Sequence, residues 1–421
     1  MSKIAFIFPG QGSQYVGMGK SIFENFQIAR EVFEEANDSL GFDLKKLCFE
    51  GNLDELSKTE NTQPAILTTS FSAFKVFMQE VGINPSLCAG HSLGEITALS
   101  CSGAIKFSDA VKIVRQRGKF MQEAAAMGMG VMAAISGMDV TLIREECEKA
   151  STADDIAVIS NYNSPDQTVI SGNKNAVNKA CENLSSLGAK VIPLNVSAPF
   201  HSPIMTSAAT KLEEELKKYS FSEMKYAVVS NVDAKPYQNL NEIVDRLKAQ
   251  MIMPVQWQES IKYLVAQGIE TAIEIGPKNV LTKLMAKNAG SIKAYSCEKE
   301  NEIIDLKNSF VADTSNHRNA DFGATVVTKC LAVAVCTKNS NWDNKEYEEG
   351  VVLPYKKIQQ MQEIIENEER QPTIEEMTAA LEMLKSVFAV KKVSMEERVR
   401  RFEQIFEQTG TRNLFSDYKV S

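Results

Sequence analysis

The apolar positions of this chain fall into short unbroken runs and into longer stretches with helical spacing. Ile4-Ala5-Phe6-Ile7-Phe8, closed by Pro9-Gly10, predicts a buried first strand. Residues 65–81, after Asn61-Thr62-Gln63-Pro64, are apolar enough to predict a largely buried helix. Residues 85–89 predict a short buried strand, and 93–102 a helix that stops at Gly103. Residues 108–126 predict another helix with Ser108 as its N-cap. On it Ala110, Val114, Arg117 and Met121 recur at three- and four-residue steps, so Arg117 falls on the apolar face.

The texture changes after Met127-Gly128-Met129-Gly130. Strands are predicted at 131–135, 156–161, 168–171 and 189–194, with helices at 140–150 and 174–187. This β-α-β-β-α-β order is the ferredoxin-like arrangement and predicts a small inserted domain. The larger domain then resumes, with strands at 226–231, 271–275 and 294–297, a helix at 279–289, and a helix broken by Pro254. From about residue 301 the character differs. Residues 310–321 are polar, and 324–335, rich in Val and Ala, read as strand or short helix. Three helices follow: one with Pro354 in its first turn, one opening at Thr373 with Glu376 in capping-box spacing, and one opening at Ser394 with Glu397 likewise and ending before Gly410. Val399, Phe402, Ile405 and Phe406 share a face of the last, which predicts a packing surface. The expected organisation is an α/β, hydrolase-like parallel-sheet core (1–127 and 199–300), a ferredoxin-like small domain (128–198) and a mainly helical extension (301–421). The extension would pack on the core or mediate association.

Composition narrows the class. The chain has 421 residues, 44% hydrophobic and 24% charged, in the range of a soluble globular protein. The N-terminal apolar run is too short for a signal peptide, and no run reaches membrane-spanning length. Eight scattered cysteines without a C-x-x-C suggest a reducing compartment, hence the cytoplasm, and no metal site. A net charge of −8 argues against nucleic-acid binding, and an acidic partner would need a local basic patch.

The chemistry centres on Gly90-His91-Ser92-Leu93-Gly94, a G-x-S-x-G nucleophile elbow. A strand must turn into a helix within a few residues there, and a Cβ at Gly90 or Gly94 would crowd the turn. Ser92 would then lie at a helix N-terminus, where the free N–H of Leu93 can stabilise negative charge. Pro9-Gly10-Gln11-Gly12-Ser13-Gln14 is a second glycine-rich loop, without the spacing of a P-loop or a dinucleotide fold. It reads as a close-approach loop of unspecified use or as a tight turn. Of the three histidines, His91 adjoins Ser92 and should point away, and His317 sits in a polar stretch. His201, in Ala198-Pro199-Phe200-His201-Ser202-Pro203 at the return from the small domain, is the candidate base by elimination. Arg117 has two readings: a buried salt bridge, or a partner for a ligand carboxylate.

Taken as a set, the 9–14 loop, Gly90-His91-Ser92-Leu93-Gly94-Glu95, Gln116-Arg117-Gly118, the ferredoxin-like insert, Phe200-His201-Ser202, and Asn279-Val280-Leu281 after Gly276-Pro277 occur in a distinctive order. Over about residues 1–300 the chain resembles the malonyl-CoA:acyl carrier protein transacylases of bacterial type II fatty acid synthesis. The tail beyond 301 departs from that pattern. The resemblance implies malonyl transfer through an ester on Ser92, with His201 as general base and then acid, oriented by the backbone carbonyl of Gln250. It implies an oxyanion hole from the N–H groups of Gln11 and Leu93, Arg117 on the malonyl carboxylate, and Phe200 and Met129 in the acyl pocket. Malonyl-CoA and acyl carrier protein would be the partners. No cofactor or metal is expected, since the coenzyme A thioester is a substrate. The acidic carrier would dock on Lys190, Lys283 and Lys287 at the cleft mouth. The rivals are an acyltransferase serving a polyketide synthase in trans and, more distantly, an α/β-hydrolase-type esterase or thioesterase.

Overall fold

The first apolar run becomes β1 (Lys3–Phe8), and it lies at the centre of a parallel sheet. The computed structural model describes every residue except 1–2, 127–129, 197, 318–324, 338, 340, 342, 369, 417 and 419–421. The chain divides into two units, Met1–Asn308 and Ser309–Ser421.

In the first unit the strands are β1, β2 (Leu87–Gly90), β3 (Gly130–Ser136), β4 (Ala157–Ser164), β5 (Gln167–Asn173), β6 (Lys190–Pro193), β7 (Ala227–Val229), β8 (Ile269–Ile275) and β9 (Lys293–Cys297). The large sheet has the order β7-β2-β1-β8-β9, with every pair parallel. Such a sheet is covered on both faces, which is why β1 reads as a continuous apolar run. Ala5 and Ile7 face Trp257, Ile261 and Leu281, whereas Phe6, one residue out of phase, meets Phe74 and Phe77 edge-on on the other side. The second sheet is antiparallel, order β4-β5-β3-β6, with the helices Val140–Ala150 and Lys174–Ser186 packed on one face through Ile143, Val177 and Leu184. That is the ferredoxin-like insert, with the sequence order expected of it. A register shift in β4 between Ile159 and Asn161 turns Asn161 and Asn163 out of this core.

Several boundaries differ from expectation for local reasons. The helix Thr59–Glu80 starts well before Pro64. The carbonyl of Glu60, which Pro64 cannot bond, accepts instead from Arg115 Nη1 at 3.4 Å. Helix Phe107–Ala126 begins one residue early, so Ser108 lies inside its first turn rather than capping it. A helix Glu300–His317 runs through residues whose polarity hides any period; Ile303 and Leu306 anchor its start in the core.

In the second unit the Val- and Ala-rich stretch is the helix Val326–Cys336, followed by Leu353–Asn367, Ile374–Val390 and Met395–Thr409. Thr373 and Glu376 form the full capping box, and Gly410 ends the last helix at φ 65°. At Ser394 only half the box forms, because the Glu397 carboxylate turns to Arg400 and Arg401. Phe402, Ile405 and Phe406 are buried against Phe388 and Phe415, but Val399 is exposed, at the edge of the predicted packing face. Among the described residues no helix is long and apolar enough to cross a membrane.

Candidate active site

The elbow forms where β2 turns into the helix Leu93–Cys101, with Ser92 at φ 52° and ψ −104°. A Cβ on Gly90 would fall 2.0 Å from the Gly94 carbonyl, and one on Gly94 would fall 2.0 Å from the Phe8 carbonyl. The two glycines therefore let the turn close and let it dock on the end of β1. The strained backbone of Ser92 is held from both sides: its N–H donates to Asn231 Oδ1 at 2.6 Å, and its carbonyl accepts from Gln250 Nε2 at 2.9 Å.

His201 lies at the return from the small domain and also has a left-handed backbone, φ 56°. Its Nδ1–H donates to the Gln250 backbone carbonyl at 2.7 Å. That fixes the tautomer, so Nε2 presents its lone pair to Ser92 Oγ at 2.8 Å. Burial, with the Arg117 cation beside it, pushes the imidazole pKa down to about 3, so it is held neutral. His91 turns the other way, to Asn163 Oδ1 at 2.9 Å.

Arg117 reaches the same hydroxyl: Nη2 lies 3.2 Å from Ser92 Oγ. The helix carrying it approaches the helix Thr59–Glu80 closely at Gly118, where a Cβ would fall 2.6 Å from the Thr59 carbonyl. That approach delivers Gln63, whose Oε1 accepts from Arg117 Nη1 at 2.9 Å; Gln250 Oε1 accepts from Nη2 at 2.9 Å. The salt bridge that an arginine on an apolar face allows does not form, since these partners are neutral. Arg117 is 1% exposed, its Nε has no partner among the described residues, and burial lowers its pKa to about 10.

These groups open on a cleft of about 650 Å³ between the two sheets of the first unit. Gln11 and Leu93 line it, and among the described residues neither backbone N–H has a partner within the chain. Phe200, Met121 and Met132 supply apolar wall, while Met129 lies outside the described residues. Lys283 and Lys287 line the cleft, Lys287 paired to Asp166 at 2.9 Å. Lys190, at the start of β6, is not among the residues that line the cleft.

Sequence reasoning missed the polar layer beneath the elbow. Glu95 is fully buried and accepts from Tyr237 Oη at 2.5 Å, Gln250 Nε2 at 2.7 Å and the Asn231 N–H at 3.0 Å. An acid in the otherwise uncharged run 93–101 was the available signal; Gln63, Asn231 and Tyr237 offered none.

Residues 5–309 match the model of the acyl transferase domain. The chain is similar to a malonyl CoA-acyl carrier protein transacylase of Bacillus subtilis, 39% identical over 400 residues, covering 95% of this chain and 99% of that protein. That match runs through most of the second unit. The transacylase of the same name from Escherichia coli K12 is 46% identical over 295 residues, covering 70% of this chain and 95% of that one. Among solved structures, a malonyl-transacylase in complex with a type II polyketide synthase acyl-carrier protein matches with a TM-score of 0.71 and 39% identity. The match covers 73% of this chain and all of that one.

Proposed function

The chain belongs to the acyl transferase domain family, and within it to the malonyl CoA-acyl carrier protein transacylases; from that premise we propose a two-step transfer through an ester on Ser92. The enzyme moves a malonyl group from malonyl-CoA to the thiol of acyl carrier protein, the chemistry of fatty acid synthesis. In the first step Ser92 Oγ attacks the thioester carbonyl and passes its proton to His201 Nε2. Negative charge grows on the carbonyl oxygen and is met by the N–H groups of Gln11 and Leu93, each worth on the order of 3 kcal/mol. Collapse breaks the C–S bond, and the departing coenzyme A thiolate takes the proton from His201. The second step reverses this with the carrier thiol. That thiol gives its proton to His201 and attacks the ester, and the serine leaves with the proton restored.

A histidine held neutral is in the right state to accept, and the Gln250 carbonyl stabilises the imidazolium while it lasts. Arg117 selects the cargo. A malonyl carboxylate satisfies its fork, whereas an acetyl group leaves a buried guanidinium with only neutral groups in contact, a difference of about 3 kcal/mol or 100-fold. Phe200 and Met129 would narrow the pocket beside the acyl α-carbon. Lys190, Lys283 and Lys287 would receive the acidic carrier, the latter two from the wall of the cleft itself. The route needs no cofactor, and a cytoplasmic setting accords with eight unpaired cysteines.

The observation that carries this reading is that one oxygen, Ser92 Oγ, lies 2.8 Å from the imidazole and 3.2 Å from the guanidinium. Brief exposure to malonyl-CoA followed by intact-mass measurement tests it. The chain should gain one malonyl group, Ser92→Ala none, and Arg117→Ala should load malonyl about 100-fold more slowly. A malonyl adduct on Ser92→Ala would overturn it. The similarity to a transacylase that serves a polyketide carrier supports a second reading with the same chemistry and a different acceptor. Comparing transfer to fatty acid and polyketide carriers decides between them.

A further inference from the structure

The side chain of Gln250 does something that acyl transfer itself does not require. His201 binds only the backbone carbonyl of this residue, which any amino acid would offer. The amide is nonetheless engaged at both ends. Nε2 donates to Glu95 Oε2 at 2.7 Å and to the Ser92 carbonyl at 2.9 Å, and Oε1 accepts from Arg117 Nη2 at 2.9 Å. Its orientation follows from the partners: a carboxylate and a carbonyl can be met only by the NH2 end, and a guanidinium only by the oxygen.

Gln250 therefore stands between two buried groups of opposite charge. Glu95 and Arg117 are both closed off from solvent, at 0% and 1% exposure. In contact they would form a forked ion pair and satisfy one another, and an incoming carboxylate would have to displace that pair. With the amide between them each is hydrogen-bonded, and Glu95 supports the Arg117 cation without occupying its N–H groups. Gln63 holds the other terminal nitrogen by the same kind of neutral contact.

We propose that the Gln250 side chain is a specificity-positioning residue: an amide spacer that keeps Glu95 from pairing with Arg117 and so reserves the guanidinium for the carboxylate of the acyl cargo. The inference rests on the role given to Arg117 above. Cut back to alanine, the spacer is gone, Glu95 loses one of its donors, and an internal carboxylate competes with the cargo. The loss falls on malonyl and spares acetyl. Neutralising Glu95 in the same background removes the competitor.

The test is the ratio of kcat/KM for malonyl-CoA to that for acetyl-CoA, with carrier protein as acceptor, in the full chain. Gln250→Ala should lower the ratio about 10-fold or more, and adding Glu95→Gln should return it to within about 3-fold of the parent. Gln250→Met, which keeps the length but not the hydrogen bonds, should hold the ratio within about 3-fold as well. General damage to the Ser92–His201 pair would slow both substrates together and leave the ratio in place. An unchanged ratio in Gln250→Ala overturns the proposal, as does a failure of Glu95→Gln to restore it or a Gln250→Met ratio as low as that of alanine. Gln250→Ser takes the place of the alanine variant if that one does not fold. Arg117→Ala separates the two levels of argument: if it leaves the ratio unchanged, the role of Arg117 itself is wrong, whatever Gln250 does.

Discussion

Around Ser92 in the first unit, a layer of buried polar side chains lies beneath the reacting groups, and the backbone is bent out of its preferred regions. In the second unit the buried cluster is Phe388, Phe402, Phe406, Phe415 and their aliphatic neighbours, and its helices start and stop by local rules. Ser92 and His201 both sit at positive φ without being glycine, a strain of about 1–2 kcal/mol each. The last helix of the second unit ends on Gly410, at φ 65° and ψ 20°, where a positive φ carries no such strain. The difference teaches how conformational energy is held. Lys392 of the second unit is also at positive φ, 58°, at a helix end held by local contacts. At the reacting atoms the strain is held instead by contacts from distant parts of the chain: Asn231 and Gln250 for Ser92, and Gln250 again for His201.

The sharpest way to break this comparison is to place the same substitution in both regions. Gly94→Ala should destabilise the first unit by on the order of 3 kcal/mol and abolish acyl loading, because its Cβ would meet the Phe8 backbone at 2.0 Å. Gly410→Ala meets nothing within 4 Å and should cost only about 1 kcal/mol, from its φ alone. Chemical denaturation followed by hydrogen exchange in each unit reads both; equal costs would mean the elbow is not tightly closed.

A smaller effect concerns protons. His201, depressed to about 3, should stay neutral throughout the mildly acid range, so malonyl loading should be flat from about pH 7 down to about pH 5. A histidine at its ordinary pKa would lose about 25-fold over that interval. The stability sign is fixed by the same shift. The unfolded chain takes up this proton near pH 6.5 and the folded chain does not until about 3, so stability falls as pH drops through that window. A loading rate that titrates near pH 6.5 would show the imidazole to be far less buried.

The smallest effect lies in the caps of the second unit. Thr373→Ala removes a complete capping box and should cost about 1 kcal/mol, seen as faster amide exchange in the first turn of Ile374–Val390. Ser394→Ala removes half of one and should cost less. The reverse order would mean that these helices are not governed by their local signals.

Legibility followed the same divide. The caps at Thr373 and Ser394, the stop at Gly410, the β1 run and the order of the ferredoxin-like insert were all readable, since each depends on residues a few positions apart. Of the candidate site, Ser92 was legible from its glycines, and His201 from there being three histidines to choose among. Gln63, Asn231, Tyr237 and the buried Glu95 network carried no periodic or spacing signal that names their partners. Arg117 shows the limit most clearly. Its helical spacing placed it on the apolar face, but whether it paired with an acid of the fold or awaited a ligand carboxylate was undecided, and the amides of Gln63 and Gln250 that meet it carried no signal.

What the amino-acid sequence determined by itself was therefore the set of elements and the chemical types at the elbow, because strand, helix and turn preferences act over a few residues. Only the tertiary structure decided which groups meet: Ser92 with His201 109 residues away, and Arg117 with Gln250 133 residues away. Those distances are closed by the burial of whole faces, and the polar contacts at the site are what that burial leaves within reach.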